Sequence, residues 1–301
     1  MEVKNIKWIY LIILSLVWGS SFILIKKSLI GLTALQVGSF RIIFAGLFLV
    51  LVGFNSLRKI SSAQWRWVIL SGFLGSFFPV YLFAFAETEI DSAIASILNA
   101  TTPLMTLIFG GLLFNAVFTQ NKITGVIIGL LGTAGLIYSG ASIDPDQNYL
   151  YSFLVVLAAA CYAMNVNILK TKMSNISPLG IAAGNFTVLL IPATIVLYFS
   201  GFFEAPGITE EIKLSLVYVG ILGIIGTGVA MIIFNKLVQI SDPVFTSSVT
   251  YTIPVVALGW GMLDGETFSI GQLISALVIL IGVFIVNRSK NIISKFRKQA
   301  I

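Results

Sequence analysis

Long apolar runs alternate with short polar segments over almost the whole chain. Ten of these runs are long enough to cross about 30 Å of hydrocarbon as helices. They lie near 6–25, 34–54, 66–86, 92–114, 122–139, 150–169, 178–201, 213–234, 244–263 and 270–287. The pattern therefore predicts an all-α membrane protein with ten transmembrane helices and loops too short to fold as separate domains.

Polar and small residues recur in the same order in the two halves of the chain. The first half carries Trp18, Lys26, Arg41, Gly72-x-x-Gly75, Pro103 and Ala116-Val-Phe118, and the second carries Tyr162, Lys170, Asn185, Gly220-x-x-Gly223, Pro254 and Glu266-Thr-Phe268. The distance along the chain between matching landmarks grows only slightly from the first pair to the last, so few gaps are needed. We therefore divide the chain into a first five-helix repeat at 6–139, a second at 150–288 and a basic tail at 289–301.

The basic residues of the loops predict the orientation. With the N-terminus in the cytoplasm, every lysine and arginine except Lys26, Lys27, Lys213 and Arg41 falls in a cytoplasmic segment. Such an excess of Lys and Arg is typical of the cytoplasmic side. Both termini are therefore expected in the cytoplasm. An odd number of helices per repeat then makes the two repeats inverted, an arrangement common in transporters.

Composition excludes several other classes of protein. Hydrophobic residues make up 57% of the chain and charged residues 10%, whereas soluble proteins have about 25% charged residues. The absence of His and the single Cys exclude a disulfide framework and a Cys/His zinc site. With no sign of an activated nucleophile, a metal cluster or a phosphate-binding loop, we expect no enzyme, no metal and no cofactor. The net charge of +6 comes from basic residues spread over many short loops and not from one patch. We therefore expect the lipid bilayer and not nucleic acid as the partner.

Two prolines occupy matching places in the fourth and ninth runs. Pro103 and Pro254 each remove the helical hydrogen bond to the carbonyl four residues earlier, at Asn99 and Thr250. An unpaired carbonyl is costly against lipid, so these kinks are expected to face protein or a wet cavity. The alternative is that they bend the helices for packing alone.

Polar side chains in the middle of the runs are the candidates for the wall of that cavity. Asn is the most informative type, because its own helix cannot satisfy its amide. The candidate substrate-binding residues are Trp18, Ser21, Arg41, Tyr81, Asn99, Asn165, Asn167, Asn185, Thr250 and Tyr251. Aromatic residues among and beside them suit an amphipathic amino acid.

The fifth and tenth runs carry almost no polar residues in their middle. The fifth shows Gly125, Gly129 and Gly132 at a spacing that allows close helix packing. The cavity is therefore expected among helices one to four and six to nine. Helices five and ten would support it or form the contact in a homodimer.

Arg41 is the single basic residue within a run. An Arg inside a membrane helix is costly and usually functional. In one interpretation it reaches the outer surface and pairs with Glu89 or Asp91. In the other, its fork-shaped group of donors binds a carboxylate or phosphate of the substrate.

Taken together, these motifs resemble the EamA-type transporters of the drug/metabolite transporter superfamily. The resemblance rests on Trp18-Gly-Ser-Ser-Phe22, the early Arg of the second run, the two prolines and Gly265-Glu266 before the last run, and it covers 6–288. It implies a ten-helix inverted-repeat carrier of the bacterial inner membrane, often an exporter of amino acids or related metabolites. One departure is Ala116, where the family usually has a Glu.

The expected function is transport of a small molecule by alternating access, with the substrate bound between the repeats. One alternative is a transporter of phosphorylated or nucleotide-linked sugars, which should show several cationic residues in the cavity. The other is a channel or scaffold that transports nothing, for which matched polar kinks would not be required.

Overall fold

The computed structural model describes residues 3–89, 95, 98–116, 118–139, 149–204, 207–263 and 270–288. Every regular element among these residues is helical. The helices are α1 (Val3–Gly19), α2 (Ser21–Ser28), α3 (Ala34–Leu57), α4 (Ser62–Gly72), α5 (Phe78–Ala86), α6 (Thr102–Phe114), α7 (Gln120–Tyr138), α8 (Ser152–Lys172), α9 (Pro178–Phe199), α10 (Glu210–Gly223), α11 (Ala230–Ile240), α12 (Pro243–Ser247), α13 (Val249–Leu263) and α14 (Ile270–Arg288). Short 3-10 turns lie at Tyr149–Tyr151 and Phe202–Glu204. The predicted tail and Gly265-Glu266 lie outside the described residues.

Six helical segments of the described residues are long and apolar enough to cross a membrane. They are Ile6–Ser28, Ala34–Leu57, Ser62–Ala86, Phe153–Lys172, Pro178–Phe199 and Glu210–Ile240. Two shorter apolar helices, Thr102–Phe114 and Leu273–Val286, accompany them. The predicted all-helical, multi-pass membrane architecture is thereby confirmed. The count of ten spans and the inverted orientation of the repeats stay predictions.

The two repeats interlock. α3 packs along its counterpart α9, and α7 packs along its counterpart α14. The first helix of each repeat packs against the other repeat: α1 contacts α11 and α13, and α8 contacts α5 and α6. Since α11 is the counterpart of α5 and α13 is the counterpart of α6, the two first helices make equivalent contacts. This is expected for two copies related by a pseudo-two-fold axis. The centre of the molecule therefore lies between the copies.

The second helices of both repeats begin in the same way. The Thr33 hydroxyl accepts from the backbone N–H of Gln36 before α3, and the Ser177 hydroxyl accepts from that of Gly180 before α9. Ser and Thr are preferred at such N-caps because they satisfy an N–H group that has no partner within the helix. Pro178 follows in the first turn of α9, where its missing N–H costs nothing.

Glycines join the α7–α14 pair closely, as the spacing in the fifth run predicts. A Cβ added at Gly125 would lie 2.8 Å from the carbonyl oxygen of Gly282, and one added at Gly132 would lie 2.8 Å from the backbone nitrogen of Ile279. The helices can approach to this distance only because these positions have no side chain.

A π-helical turn interrupts the third span of each repeat. These turns cover Phe73–Phe77 between α4 and α5, and Ile224–Val229 between α10 and α11. In each, a backbone N–H donates to the carbonyl five residues earlier: Phe78 to Phe73, and Ala230 to Ile225. The matched turns place equivalent backbone segments at the centre of the molecule.

The predicted pairing of Gly72-x-x-Gly75 with Gly220-x-x-Gly223 is wrong by three residues. α10 has 14 residues before its π turn and α4 has 11, so the offset between the repeats grows within this span. Gly72 lies against the backbone of Asn185, and Gly223 lies against the backbone of Arg41, the counterpart of Asn185. A Cβ at Gly220 would meet nothing within 4 Å. The structural counterparts are therefore Gly72 with Gly223 and Gly75 with Gly226.

Candidate functional site

A cavity lies between the repeats, with an empty volume of about 910 Å³ including its open mouth. Its wall is formed by the first, third and fourth spans of both repeats, together with Arg41 from α3. This is the predicted location, between the two copies and away from α7 and α14.

The third spans contribute the same positions from both copies. They are Gly75, Ser76, Val80 and Phe83 in the first repeat, and Gly226, Thr227, Met231 and Phe234 in the second. A single constant offset along the chain relates all four pairs. Each set begins in the π turn and continues into the helix after it. The π turns therefore supply the polar part of this wall and the following helices its apolar part.

The first and fourth spans also contribute matching positions from both repeats to the wall. Trp18, Ser21 and Phe22 line the cavity, and so do their counterparts Tyr162, Asn165 and Val166. Asn99 and Thr102 also have counterparts in the wall, at Thr250 and Ile253. Six of the ten candidate residues thus lie on the cavity wall: Trp18, Ser21, Arg41, Asn99, Asn165 and Thr250.

Arg41 is the one charged side chain on this wall among the residues that the structure describes. Its Nε donates to the hydroxyl of Thr227 at 2.8 Å, and that hydroxyl donates to the carbonyl of Leu222 at 3.1 Å. The carboxylate of Glu87 also lies close enough to interact with its charge. The guanidinium is therefore part of the cavity wall.

Of the two acids expected to pair with Arg41, Glu89 forms no ion pair with it among the described residues, and the pairing with Asp91 stays a prediction. Glu89 is exposed, and Asp91 lies outside the described residues. Among the described residues, the carboxylate that interacts with the Arg41 charge is that of Glu87, two residues before Glu89.

Glycines in the π turns let side chains of the first spans lie on the backbone. A Cβ added at Gly75 would overlap with Nδ2 of Asn165, and one added at Gly226 would lie 3.2 Å from the hydroxyl of Ser21. The indole N–H of Trp18 also donates to the carbonyl of Gly226 at 3.0 Å. Each π turn is thus in direct contact with the first span of the opposite repeat.

Tyr81 and Tyr251 do not line the cavity, contrary to expectation. The Tyr81 hydroxyl is 2.8 Å from that of Ser39. The Tyr251 hydroxyl donates to the carbonyl of Val126 at 3.0 Å, and its ring packs against Gly129. Both hydroxyls are satisfied between helices, so both residues serve packing.

Asn167 and Asn185 are also outside the wall. The amide of Asn167 donates to the carbonyls of Thr106 at 3.2 Å and Ala163 at 3.0 Å. The side chain of Asn185 lies 3.2 Å from the Ser71 hydroxyl, which in turn donates to Asn165 at 2.7 Å. A buried amide needs partners, and these two find them between helices.

The two prolines differ in their surroundings. Pro103 lies in the first turn of α6, and the Asn99 carbonyl that it leaves unpaired accepts from the Thr102 hydroxyl at 2.6 Å. Pro254 lies inside α13. The predicted kink in the middle of a helix is therefore replaced by a helix start at Pro103. The role of both prolines as hinges stays a prediction.

Sequence reasoning did not select Ser76 for the wall and left Thr227 out of the candidate set. Ser76 is 2% exposed, and its hydroxyl has no hydrogen-bond partner among the described residues. The signal was present in the repeat, because the offset that relates Asn99 to Thr250 also relates Ser76 to Thr227. The pairing of Gly72 with Gly220 implies a shorter offset between the third spans, and with that offset Ser76 and Thr227 do not match.

Comparisons with known proteins agree with this architecture. The chain is 24% identical over 279 residues to the uncharacterized transporter YoaV of Bacillus subtilis, covering 91% of this chain and 94% of that one. It is 26% identical over 284 residues to the uncharacterized inner membrane transporter YedA of Escherichia coli K12, covering 92% and 89%. It is 24% identical over 285 residues to a probable amino-acid metabolite efflux pump of Salmonella typhimurium, covering 89% and 90%.

The fold and the family follow from two further matches. A solved crystal structure aligns with a TM-score of 0.70 over 99% of both chains at 16% sequence identity, and so shares the fold. The model of the EamA-like transporter family matches residues 6–138 and 150–288, which is nearly the whole chain. The resemblance inferred from the sequence motifs is thereby confirmed, and the chain belongs to the EamA-like transporter family.

Proposed function

We propose that this transporter exports a small amphipathic metabolite with one carboxylate, such as an amino acid, across the bacterial inner membrane by alternating access. The substrate binds in the cavity between the repeats. Its carboxylate faces Arg41, and its apolar part lies against the aromatic and aliphatic wall.

The single cation of the cavity wall carries this proposal. Arg41 is the one charged group among the wall residues that the structure describes, and hydroxyls and amides supply the remaining polarity. A planar guanidinium binds a carboxylate through two parallel hydrogen bonds. The mixed polarity of the cavity wall suits a small ligand with one anionic group and an apolar part.

The apolar wall matches the other end of such a ligand. Val80, Phe83, Met231 and Phe234 are at least 90% buried and lie on the third spans of both repeats. Burial of a hydrophobic side chain contributes about 1.5–3 kcal/mol, enough to favour leucine or phenylalanine over a small polar amino acid. A phosphorylated sugar would instead need several cations around its phosphate.

The matched walls support alternating access. Because the same segments of both copies form the cavity, movement of one copy against the other can open it to either side in turn. Export and placement in the inner membrane are supported by the names of two relatives, a probable amino-acid metabolite efflux pump of Salmonella typhimurium and an uncharacterized inner membrane transporter of Escherichia coli.

The test is release of amino acids from vesicles. Purified protein is reconstituted in liposomes loaded with radiolabelled L-leucine, L-phenylalanine, L-threonine or L-lysine, and release into buffer is followed. We expect release of leucine or phenylalanine above that of protein-free vesicles, and loss of that release in Arg41→Gln. The matched control is Arg58→Gln, because Arg58 is exposed and contacts only the ring of Phe54 among described aromatic residues.

Two results would contradict the proposal. One is that none of the four amino acids is released faster than from protein-free vesicles. The other is that Arg41→Gln releases leucine and phenylalanine at the wild-type rate.

A further inference from the structure

Arg41 uses only part of its hydrogen-bonding capacity. A guanidinium has five N–H donors. The Nε donor of Arg41 bonds to Thr227, and the four terminal donors make no hydrogen bond to any residue that the structure describes. The side chain is also part of the cavity wall. These four donors are therefore available to a ligand in the cavity.

The Thr227 hydroxyl is oriented before any ligand arrives. Its proton points to the carbonyl of Leu222 at 3.1 Å, five residues earlier at the end of α10. A hydroxyl has one proton and two lone pairs, so the side facing Arg41 must accept. Thr227 is 4% exposed, and its hydroxyl is held between the turn and the guanidinium.

We propose that Thr227 is a positioning residue that fixes the rotation of the Arg41 guanidinium, so that the terminal pair of nitrogens faces the cavity and selects a planar carboxylate. Without this bond the guanidinium turns about its last side-chain torsions. Carboxylate binding then loses its paired geometry, while binding of the apolar part of the ligand is unchanged. This inference rests on the proposed function.

The first repeat supplies an internal comparison. Ser76 occupies the equivalent place in the other π turn, and its hydroxyl has no partner among the described residues. The counterpart of Arg41 there is Asn185, whose side chain bonds to the Ser71 hydroxyl, and no hydrogen bond joins it to Ser76 among the described residues. A π turn thus forms without a hydroxyl bonded to the neighbouring second span. The Thr227–Arg41 bond is therefore not a requirement of the turn.

The bond also joins the two copies. Arg41 belongs to α3 of the first repeat, and Thr227 belongs to the second repeat. Movement between the repeats changes the distance between their atoms directly. The orientation of the cation is thereby tied to the relative position of the copies.

The test compares two ligands that differ only at the charged group. Binding of phenylacetate and of phenylacetamide to the purified full chain in detergent is measured by calorimetry. The variants are Thr227→Val, which removes the hydroxyl at nearly constant shape, Thr227→Ser, which keeps it, and Arg41→Gln. Thr187→Val is the control, since among the described residues the Thr187 hydroxyl bonds only to its own helix, at the Ala183 carbonyl.

We expect wild-type protein, Thr227→Ser and Thr187→Val to prefer phenylacetate over phenylacetamide to the same degree. In Thr227→Val this preference should fall about tenfold, which is ~1.4 kcal/mol, with phenylacetamide affinity unchanged. Thermal unfolding of each variant checks that it is folded. A general loss of packing would weaken both ligands equally and would contradict a positioning role.

The remaining outcomes separate the two proposals. If Arg41→Gln abolishes the preference and Thr227→Val keeps it, Arg41 binds carboxylates without help from Thr227, and only the inference fails. If wild-type protein shows no preference for phenylacetate, anion recognition by Arg41 fails, and the inference fails with it.

Discussion

Lys122 and Asp242 form an ion pair across the two repeats, with Nζ and Oδ1 3.4 Å apart. Lys122 is 7% exposed. Asp242 also accepts from the backbone N–H of Phe245 at the start of α12. Close by, the ammonium of Lys170 donates to the carbonyls of Val238 and Gln239 at the end of α11. Cations from α7 and α8 thus hold the junction of α11 and α12 on one face of the molecule.

Removal of the carboxylate charge should destabilise this junction. Asp242→Asn keeps an N-cap for α12 but leaves the buried Lys122 without its counter-charge. Breaking a buried ion pair on one side costs about 3–5 kcal/mol, and because Asp242 is partly exposed we expect ~1–3 kcal/mol. Thermal unfolding in detergent measures the loss.

The control is the exposed pair of Lys213 and Glu210, whose Nζ and Oε1 are 2.6 Å apart. Glu210→Gln should change stability by less than about 1 kcal/mol, since exposed pairs contribute little. Equal effects of Asp242→Asn and Glu210→Gln would show that the junction is not held by its buried charges.

A side chain at Gly75 should displace the Asn165 amide. Because the new Cβ of Gly75→Ala would overlap with Nδ2 of Asn165, either the Asn165 side chain turns away and loses its bond from Ser71, or one of the two helices shifts. Overpacking of this kind costs about 1–3 kcal/mol. We expect a lower unfolding temperature and slower amino acid release from vesicles.

Gly111 provides the matched position for that experiment. A Cβ added there would meet nothing within 4 Å, and Ala is preferred to Gly inside a helix by about 0.5–1 kcal/mol. Gly111→Ala should therefore leave the protein unchanged or slightly more stable. A similar loss in both variants would place the cause in the backbone and not in contact with Asn165.

Loss of the Tyr251 hydroxyl should affect stability and not substrate affinity. In Tyr251→Phe the carbonyl of Val126 loses its bond from the phenol, and such bonds contribute about 0.5–1.5 kcal/mol. Because Tyr251 lies outside the cavity wall, the KM for amino acid release should stay at the wild-type value. A several-fold rise in KM without loss of stability would return Tyr251 to the substrate site.

Cysteines on the cavity wall should react with reagents dissolved in water. Cys161→Ala removes the native thiol, and Asn99→Cys or Thr250→Cys then provides a single target. We expect both to react with a membrane-impermeant maleimide applied to oriented vesicles from one side or the other. Leu112→Cys is the control, because Leu112 is apolar, 75% exposed and outside the cavity wall. Protection of both cavity cysteines from both sides would contradict alternating access.

The repeat and the location of the cavity were predictable because both follow from the order in which particular residues occur along the chain. The landmarks at Trp18, Pro103 and Gly125 needed only spacing to be found. Which face of a helix meets the cavity was harder to predict, because both the lipid and the packed neighbours are apolar. In such helices a hydrophobic stripe does not mark the interior.

Asn165 and Asn167 illustrate this difference. Two residues of an α-helix lie about 200° apart around its axis, so both could not face one cavity. Asn165 lines the wall, and Asn167 bonds to Thr106 on α6. The spacing alone could have separated them. The three additional residues of α10 were harder to find, because the shorter offset assumed for the third spans hid the match of Thr227 with Ser76.

The π turns also determine where the chain can lose a residue. A π turn holds one residue more than the α-helical turn it replaces, so deletion of a single residue from Ile224–Val229 would leave a regular helix and keep the orientation of the residues after it. Deletion of a residue between Met231 and Phe234, in regular α11, would instead rotate Phe234 by about 100° and carry it off the wall. Loss of one residue should therefore disturb the wall less within the π turn than in the helix that follows it.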